Sequence, residues 1–368
     1  MPLPCPRRRR LLTSGLMLAA SGASAQPAQP MPPVQPAPTA GRIWRVGAGQ
    51  AISRIADALL RADDGDTIEI LPGVYAGDVA VIRQRRLRLV GLTGAAGGAA
   101  IADTPAKIGD GAGSAQPQRP LIQAAGQHAE GKALWVVGDG SIAIENIDFE
   151  GARVPDGNGA AIRFERGQLR LTGCGFRDHQ IGLLTGNHED AELHIEGCRF
   201  SQAPANAQDL SHLVYVGRIG RFTLQTSQLS QGLEGHLLKS RARQTVIRSN
   251  LIDDGPGGQA SYEIDLPQGG LAWVERNTVV QSATTRNSVM LAYGAEGRHW
   301  PSNRLTLRDN TFINRLPGGG WFVRVWADRL PEGTEVLSQH NRYLGPGNLL
   351  LGPGGRSLGD QRGPVPAG

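Results

Sequence analysis

Beyond its first 140 residues the chain repeats one pattern. A short run alternates apolar and polar positions, a small polar residue follows, then an apolar residue and a loop of variable length. The copies read IENIDF, LTGCGF, IEGCRF, LQTSQL, IRSNLI, VERNTV and LRDNTF, with a weaker one at SQHNRY. We take Asn146, Cys174, Cys198, Ser227, Asn250, Asn277, Asn310 and Asn341 as the markers, recurring every 23 to 33 residues. A second apolar run follows each loop: AIRF, GLLT, LVYV, HLLK, YEID, VMLA and WFVR. Alternation with period two predicts strands with one face inward. Length variation confined to loops suits stacked coils, in which only the strands must stay in register. Irregular hairpins of a β-sandwich would not repeat one marker eight times. The expected fold is therefore all-β, a right-handed, single-stranded parallel β-helix. Its markers should stack ~4.8 Å apart as an internal ladder. Cys174 and Cys198 then occupy adjacent rungs as buried thiols, because stacked parallel side chains seldom meet disulfide geometry.

One helix is expected, where Ile52, Ile55, Ala56, Leu59 and Leu60 recur at helical spacing. It ends at Asp63-Asp64-Gly65-Asp66, before a strand at Thr67–Leu71. The string ADDGDTIEILPGVY resembles the entry segment of pectate-lyase-like β-helices. The resemblance implies a short N-terminal helix covering the open end of the stack, where strand edges would otherwise be unpaired. Gly91 to Pro120, rich in Ala, Gly and Pro, is expected to be an irregular excursion. The domain is placed at residues 41–344, with a Gly/Pro-rich tail at 345–368.

Composition adds the flanks. Arg7–Arg10, the apolar run Leu11 to Ala20 and Ala23-Ser24-Ala25 have the three parts of an export signal, predicting removal of residues 1–25. Residues 26–40 form a proline-rich linker. The protein is expected to be periplasmic or secreted, with no membrane span, since ten apolar residues cannot cross ~30 Å of hydrocarbon. Without the four leader arginines the formal net charge falls from +5 to +1, and no basic block remains. That argues against nucleic acid as a partner. Aromatic residues make up only 5%, which limits any stacking surface.

Candidate chemistry gathers in three adjacent coils: SHLVYVGRIG, GLEGHLLKSRAR and SYEIDLPQGG. Alternation is expected to put Glu263 and Asp265 on one outer face with Ile264 inside. Lys239 lies one coil away on that face. His212, Tyr215, His236, Arg241 and Tyr262 surround it, and Tyr293 closes one end. His179, His188 and His194 are read as loop or surface residues, and no His/Cys spacing suggests zinc. For Lys239 and Glu263 the simplest account is an ion pair between coils.

These segments are similar to exported bacterial β-helix repeat proteins with a "YVG…GHLxKSRA…SYE" signature, a resemblance that implies the fold but no reaction. A second resemblance, to chondroitinase- and alginate-lyase-type β-helices, rests on Glu234 and Lys239-Ser240, five residues apart. It implies Lys239 as the base of a polysaccharide lyase acting on a uronate-containing glycan. Those lyases place an arginine where this chain has Tyr262-Glu263-Ile264-Asp265. Chemically, neighbouring cations would lower the Lys239 pKa. Arg241, or a Ca²⁺ held by Glu234, Glu263 and Asp265, would neutralise the substrate carboxylate. Tyr262 or His236 would be the acid. The alternatives are a glycoside hydrolase using Glu263 and Asp265, ~7 Å apart along a strand, a uronate epimerase, or a non-catalytic glycan-binding cell-envelope protein.

Overall fold

The computed structural model describes residues 41–94, 118–203 and 211–366. The expected export signal and linker lie outside these residues, as do residues 95–117 of the expected excursion.

The described chain winds as a parallel β-helix. Three sheets of twelve, eleven and ten strands run along it, and each strand pairs in parallel with its counterpart one coil away. A coil contributes three strands rather than the two expected. Ser141–Glu145 enters the first sheet, Asp148–Glu150 the second and Ala160–Phe164 the third. The apolar residue after each marker belongs to that middle strand, which is often only three residues long.

The corner between the first two sheets holds the ladder. Its members are Cys174, Cys198, Ser227, Asn250, Asn277, Asn310 and Asn341, all buried. Each backbone N–H donates to the side chain one coil on: Ser227 to Asn250 Oδ1 at 2.9 Å, Asn250 to Asn277 Oδ1 at 2.9 Å, and Asn277 to Asn310 Oδ1 at 3.0 Å. At the cysteine end the Cys174 N–H meets Cys198 Sγ at 3.4 Å, and both thiols are free. The first marker is one residue out of place. Asn146 has φ of 57° and occupies the left-handed turn position, as do Ser249 and Asp309 in later coils. The buried residue at the rung is Ile147. Asparagine suits either place, since it tolerates left-handed backbone.

The stack also continues past Leu344. Asn348–Leu350, Arg356–Leu358 and Gln361–Gly363 join the three sheets, so residues 348–363 form a further coil rather than a tail. Asp360 supplies its rung, accepting the Asn341 N–H at 2.8 Å.

At the other end the helix is shorter than its periodicity suggests, Ile55–Leu59. Ile55, Ala58 and Leu59 enter the core while Leu60 is exposed. The Asp78 carboxylate accepts the N–H groups of Ile55 and Ala56 at 2.6 and 3.0 Å, satisfying donors that a helix start leaves free. Phe149, Phe176 and Phe200 stack through the interior, with centroids 5.3 and 4.4 Å apart. Among the described residues no helix is long and apolar enough to cross a membrane.

Candidate functional site

The third sheet carries the predicted cluster, and register explains what it assembles. Tyr215 pairs with Lys239, and Lys239 with Asp265, so these three form one row across adjacent coils. His212 at the start of its strand, and His236 and Tyr262 just before theirs, form a second row, with ring centroids 4.8 Å apart at each step. The His236 N–H donates to His212 Nδ1 at 3.0 Å. That bend needs Gly235, because a Cβ there would overlap the carbonyl oxygen of Ser211.

A covering segment completes the site. Residues 294–303 fold back over the row, beginning at Gly294 with φ of 77°. The Glu296 N–H donates to the Pro267 carbonyl at 2.9 Å and the Trp300 indole to the Arg241 carbonyl at 3.1 Å. The Arg218 guanidinium lies 3.5 Å from the centroid of Trp300 and donates to Gln268 Oε1 at 3.1 Å. So fixed, Glu296 bridges two cations: Lys239 Nζ at 2.9 Å and an Arg241 guanidinium nitrogen at 2.7 Å. The Arg241 Nε donates to the Tyr215 hydroxyl at 3.2 Å.

Electrostatics reverses the role expected of Lys239. It is 7% exposed, not a surface lysine. Burial acts to lower its pKa, but Asp265 at 3.0 Å and Glu296 at 2.9 Å outweigh it and hold the ammonium above the ordinary lysine value. A cation fixed between two carboxylates is a poor general base. Burial pushes the Asp265 carboxyl up to about 6 against the opposing pull of Lys239. Burial, reinforced by Lys239 and Arg241, lowers His212 to about 3, and His236 falls well below the ordinary histidine value. Both imidazoles are therefore neutral at pH 7. Among the described residues, the buried Nδ1 of His236 and Oδ1 of Asp265 have no hydrogen-bond partner, and His236 Nε2 lies 3.4 Å from Asp265 Oδ2.

Glu263 departs furthest from expectation. The strand begins only at Ile264, so Glu263 sits in the bend, where alternation does not apply. It is 0% exposed and accepts a hydrogen bond from Gln281 Nε2 at 3.3 Å. Burial and the nearby Asp254 carboxylate push it well above the ordinary glutamate value. Asp254 itself is raised to about 6 by burial, although the N–H groups of Ala260 and Gly232 oppose the shift. Glu263 and Asp265 thus do not share a face, and Glu263 forms no ion pair with Lys239. The hydrolase pair is not assembled.

Two other expectations fail for packing reasons. Tyr293 is wholly buried and donates its hydroxyl to the Gly270 carbonyl at 2.5 Å, so it cannot close a surface groove. Glu234 is engaged by Arg286, Asp265 by Lys239, and Glu263 is internal. The proposed Ca²⁺ ligands do not converge, and among the described residues no three His, Cys, Asp or Glu side chains form a metal-sized group. His179 is also buried rather than superficial, with Nδ1 accepting the Ala152 N–H at 3.0 Å and Nε2 3.0 Å from the Phe149 carbonyl oxygen.

No protein-family model matches the sequence, and no curated protein matches it. Among solved structures the chain is similar to ORF18 of Geobacillus virus E2, with 13% identity and a TM-score of 0.45. The match covers 84% of this chain and 56% of that one, so the chain spans little more than half its length. It is also similar to the Streptococcus pneumoniae surface protein and adhesin PfbA, with 10% identity, a TM-score of 0.44, and 84% and 91% of the two chains covered.

Proposed function

We propose that the protein is an exported, carbohydrate-active β-helix that holds the carboxylate of an acidic glycan at Lys239 and Arg241. One observation carries the reading: the two cations lie side by side and already grip a single carboxylate, that of Glu296. The Glu296 side chain is 42% exposed, so an arriving carboxylate reaches the same cations from solvent. Half-buried Tyr215, whose ring lies beneath both cations, and half-buried Tyr262, against His236, add aromatic surface for a sugar. Lys239 therefore serves recognition, not proton abstraction.

Calorimetry with a uronate disaccharide and its carboxyl-reduced counterpart tests this. The acid binds, and Lys239→Met or Arg241→Gln weakens it tenfold or more, as expected for a lost charge-assisted hydrogen bond worth about 1.5–3 kcal/mol. Equal binding of both sugars ends the proposal.

A second reading, β-elimination, keeps support from the same cation pair, which would make the proton beside the bound carboxylate more acidic. Its base is then His236, neutral and with Nδ1 unpartnered among the described residues, once the ring turns out of its buried position. The carbon-bound proton passes to Nδ1, a C=C bond forms as the glycosidic C–O bond breaks, and Tyr262 protonates the departing oxygen. Ultraviolet absorbance from an unsaturated uronate end, abolished by His236→Ala, distinguishes this from binding alone.

A further inference from the structure

We propose a second binding site, on the outer face of the first sheet, for a linear polyanionic glycan lying across the coils. A cleft of about 600 Å³ crosses the six strands from Thr67–Ile70 to Arg221–Gln225, on a different sheet from the site described above. Its floor is low because Ser141, Ala143 and Thr223 stand at outward positions. Its walls are Arg86, Arg88, Arg170 and Arg221, all exposed.

Register gives these arginines a repeat. Arg88, Ala143 and Arg170 occupy one row, so the two arginines leave the backbone two coils apart, ~10 Å. Arg86, Ser141, Gln168, Glu192 and Arg221 form the parallel row, with its arginines four coils apart. An extended glycan with two-fold symmetry presents acidic groups to the same side on every second sugar. A stack rising ~4.8 Å per coil meets that spacing with one sugar per coil.

The charges are also available. Among the described residues, neither Arg86 nor Arg221 has a carboxylate within salt-bridge distance, and the nearest carboxylate oxygen to Arg170 is at 4.0 Å. Arg88 is held by Glu145 at 2.7 Å, an exposed pair that a ligand exchanges at little cost. Of the two carboxylates lining the cleft, Asp66 is occupied by the N–H groups of Arg42 and Asp63 and the indole of Trp44. Glu192 opposes an anion there, as do Glu145 and Glu196 beside Arg88 and Arg170, so the arginines must outcompete these neighbours for the ligand. Exposed guanidinium groups recognise carboxylate or sulfate through paired N–H donors, and a row of them holds a chain by many weak contacts.

The test uses the full chain carrying Lys239→Met, so that the site on the third sheet does not contribute. Three probes are compared: an oligouronate long enough to cross six coils, the same chain with its carboxyls reduced, and a single-stranded oligodeoxynucleotide of equal length. The oligouronate is expected to bind, with affinity falling as salt rises, and at least tenfold more tightly than the reduced chain. Arg170→Gln with Arg221→Gln should remove most of that difference. Melting temperature should not move, since neither side chain holds the core. Unchanged oligouronate affinity in the double variant overturns the proposal, as does equal affinity for the reduced chain. So does oligonucleotide binding of equal strength lost in the same variant, which would mark a patch for any polyanion. Oligouronate binding that survives Lys239→Met while the disaccharide fails would separate this site from the one on the third sheet.

Discussion

The asparagine ladder and the Glu263 corner are both polar, both buried and one strand apart in the same coil, yet they behave in opposite ways. In the ladder every group finds a partner in the next coil. Asn277 donates to Asn310 Oδ1 at 3.0 Å and to the Ile247 carbonyl at 2.9 Å, and it accepts from both nitrogens of Asn250 at 2.9 Å. No charge is buried in that run. At Glu263 the carboxyl has one long hydrogen bond and another acid as its neighbour, and among the described residues neither Glu263 Oε1 nor the side-chain Oε1 of Gln281 has a partner. Burial of polar groups stabilises the fold only where the pairing is complete. The same stacking that perfects the ladder therefore leaves a cost at Glu263, beneath the strand that presents Asp265 to the candidate site.

The largest effect should come from breaking the ladder. Asn277→Ala strands the Asn250 N–H groups and the Ile247 carbonyl, and should cost about 3 kcal/mol or more in urea unfolding. A loss below ~1 kcal/mol would mean that water replaces the rung, and the contrast would weaken.

The corner should respond with the opposite sign. Asp254 and Asp265, each raised to about 6, keep protons on the folded state that the unfolded chain has released, so their contribution falls as pH rises from about 4 to about 6. His179 and His212, lowered to about 3, and His236, lowered well below the ordinary histidine value, act the other way, because the unfolded chain holds protons up to about 6.5. Over that window the two carboxyls cancel only part of the slope of the three histidines, and Glu263, raised like the carboxyls, opposes the remainder. Above pH 6.5 Glu263 remains, with a folded pKa well above the unfolded one. Stability should then decline with rising pH by up to about 1.4 kcal/mol per unit until Glu263 ionises. Glu263→Gln should remove that slope and gain on the order of 1 kcal/mol near pH 8. A wild-type profile flat above pH 6.5 would show that the corner carries no such cost.

The smallest effect is expected at the cysteine end. Cys198→Ser puts a hydroxyl where Ser227 already stands one coil on, so the Cys174 N–H keeps an acceptor. The change should stay within about 1 kcal/mol in thermal unfolding. A larger loss would mean that thiol packing, rather than hydrogen bonding, holds those rungs.

The repeat was legible because rungs demand a narrow set of residues: small, polar and able to accept an N–H. The same logic marks Asp360 after left-handed Gly359, a rung masked by the Gly/Pro-rich composition around it. Asn146 misled because the turn position favours asparagine for a different reason. In the site, strand register alone brings Tyr215, Lys239 and Asp265 into one row and His212, His236 and Tyr262 into another, so their proximity is legible in the repeat spacing. Their electrostatics was not legible. Glu296 and Trp300, which decide the state of Lys239 and seat Arg241, arrive on a covering segment whose path depends on tertiary packing. Glu263 was misplaced because period-two reasoning was carried one residue beyond the end of the strand.

Each strand pairs only with its counterparts one coil before and after, so nearly all interstrand hydrogen bonds point along the axis of the stack. A tension applied along that axis loads one interface at a time, and the coils should part in succession, as a zipper does. A tension applied across it must shear many rows together. The protein is thus mechanically anisotropic: weak when drawn lengthwise and stiff when pulled sideways, with the asparagine rungs as the rivets of its lengthwise strength.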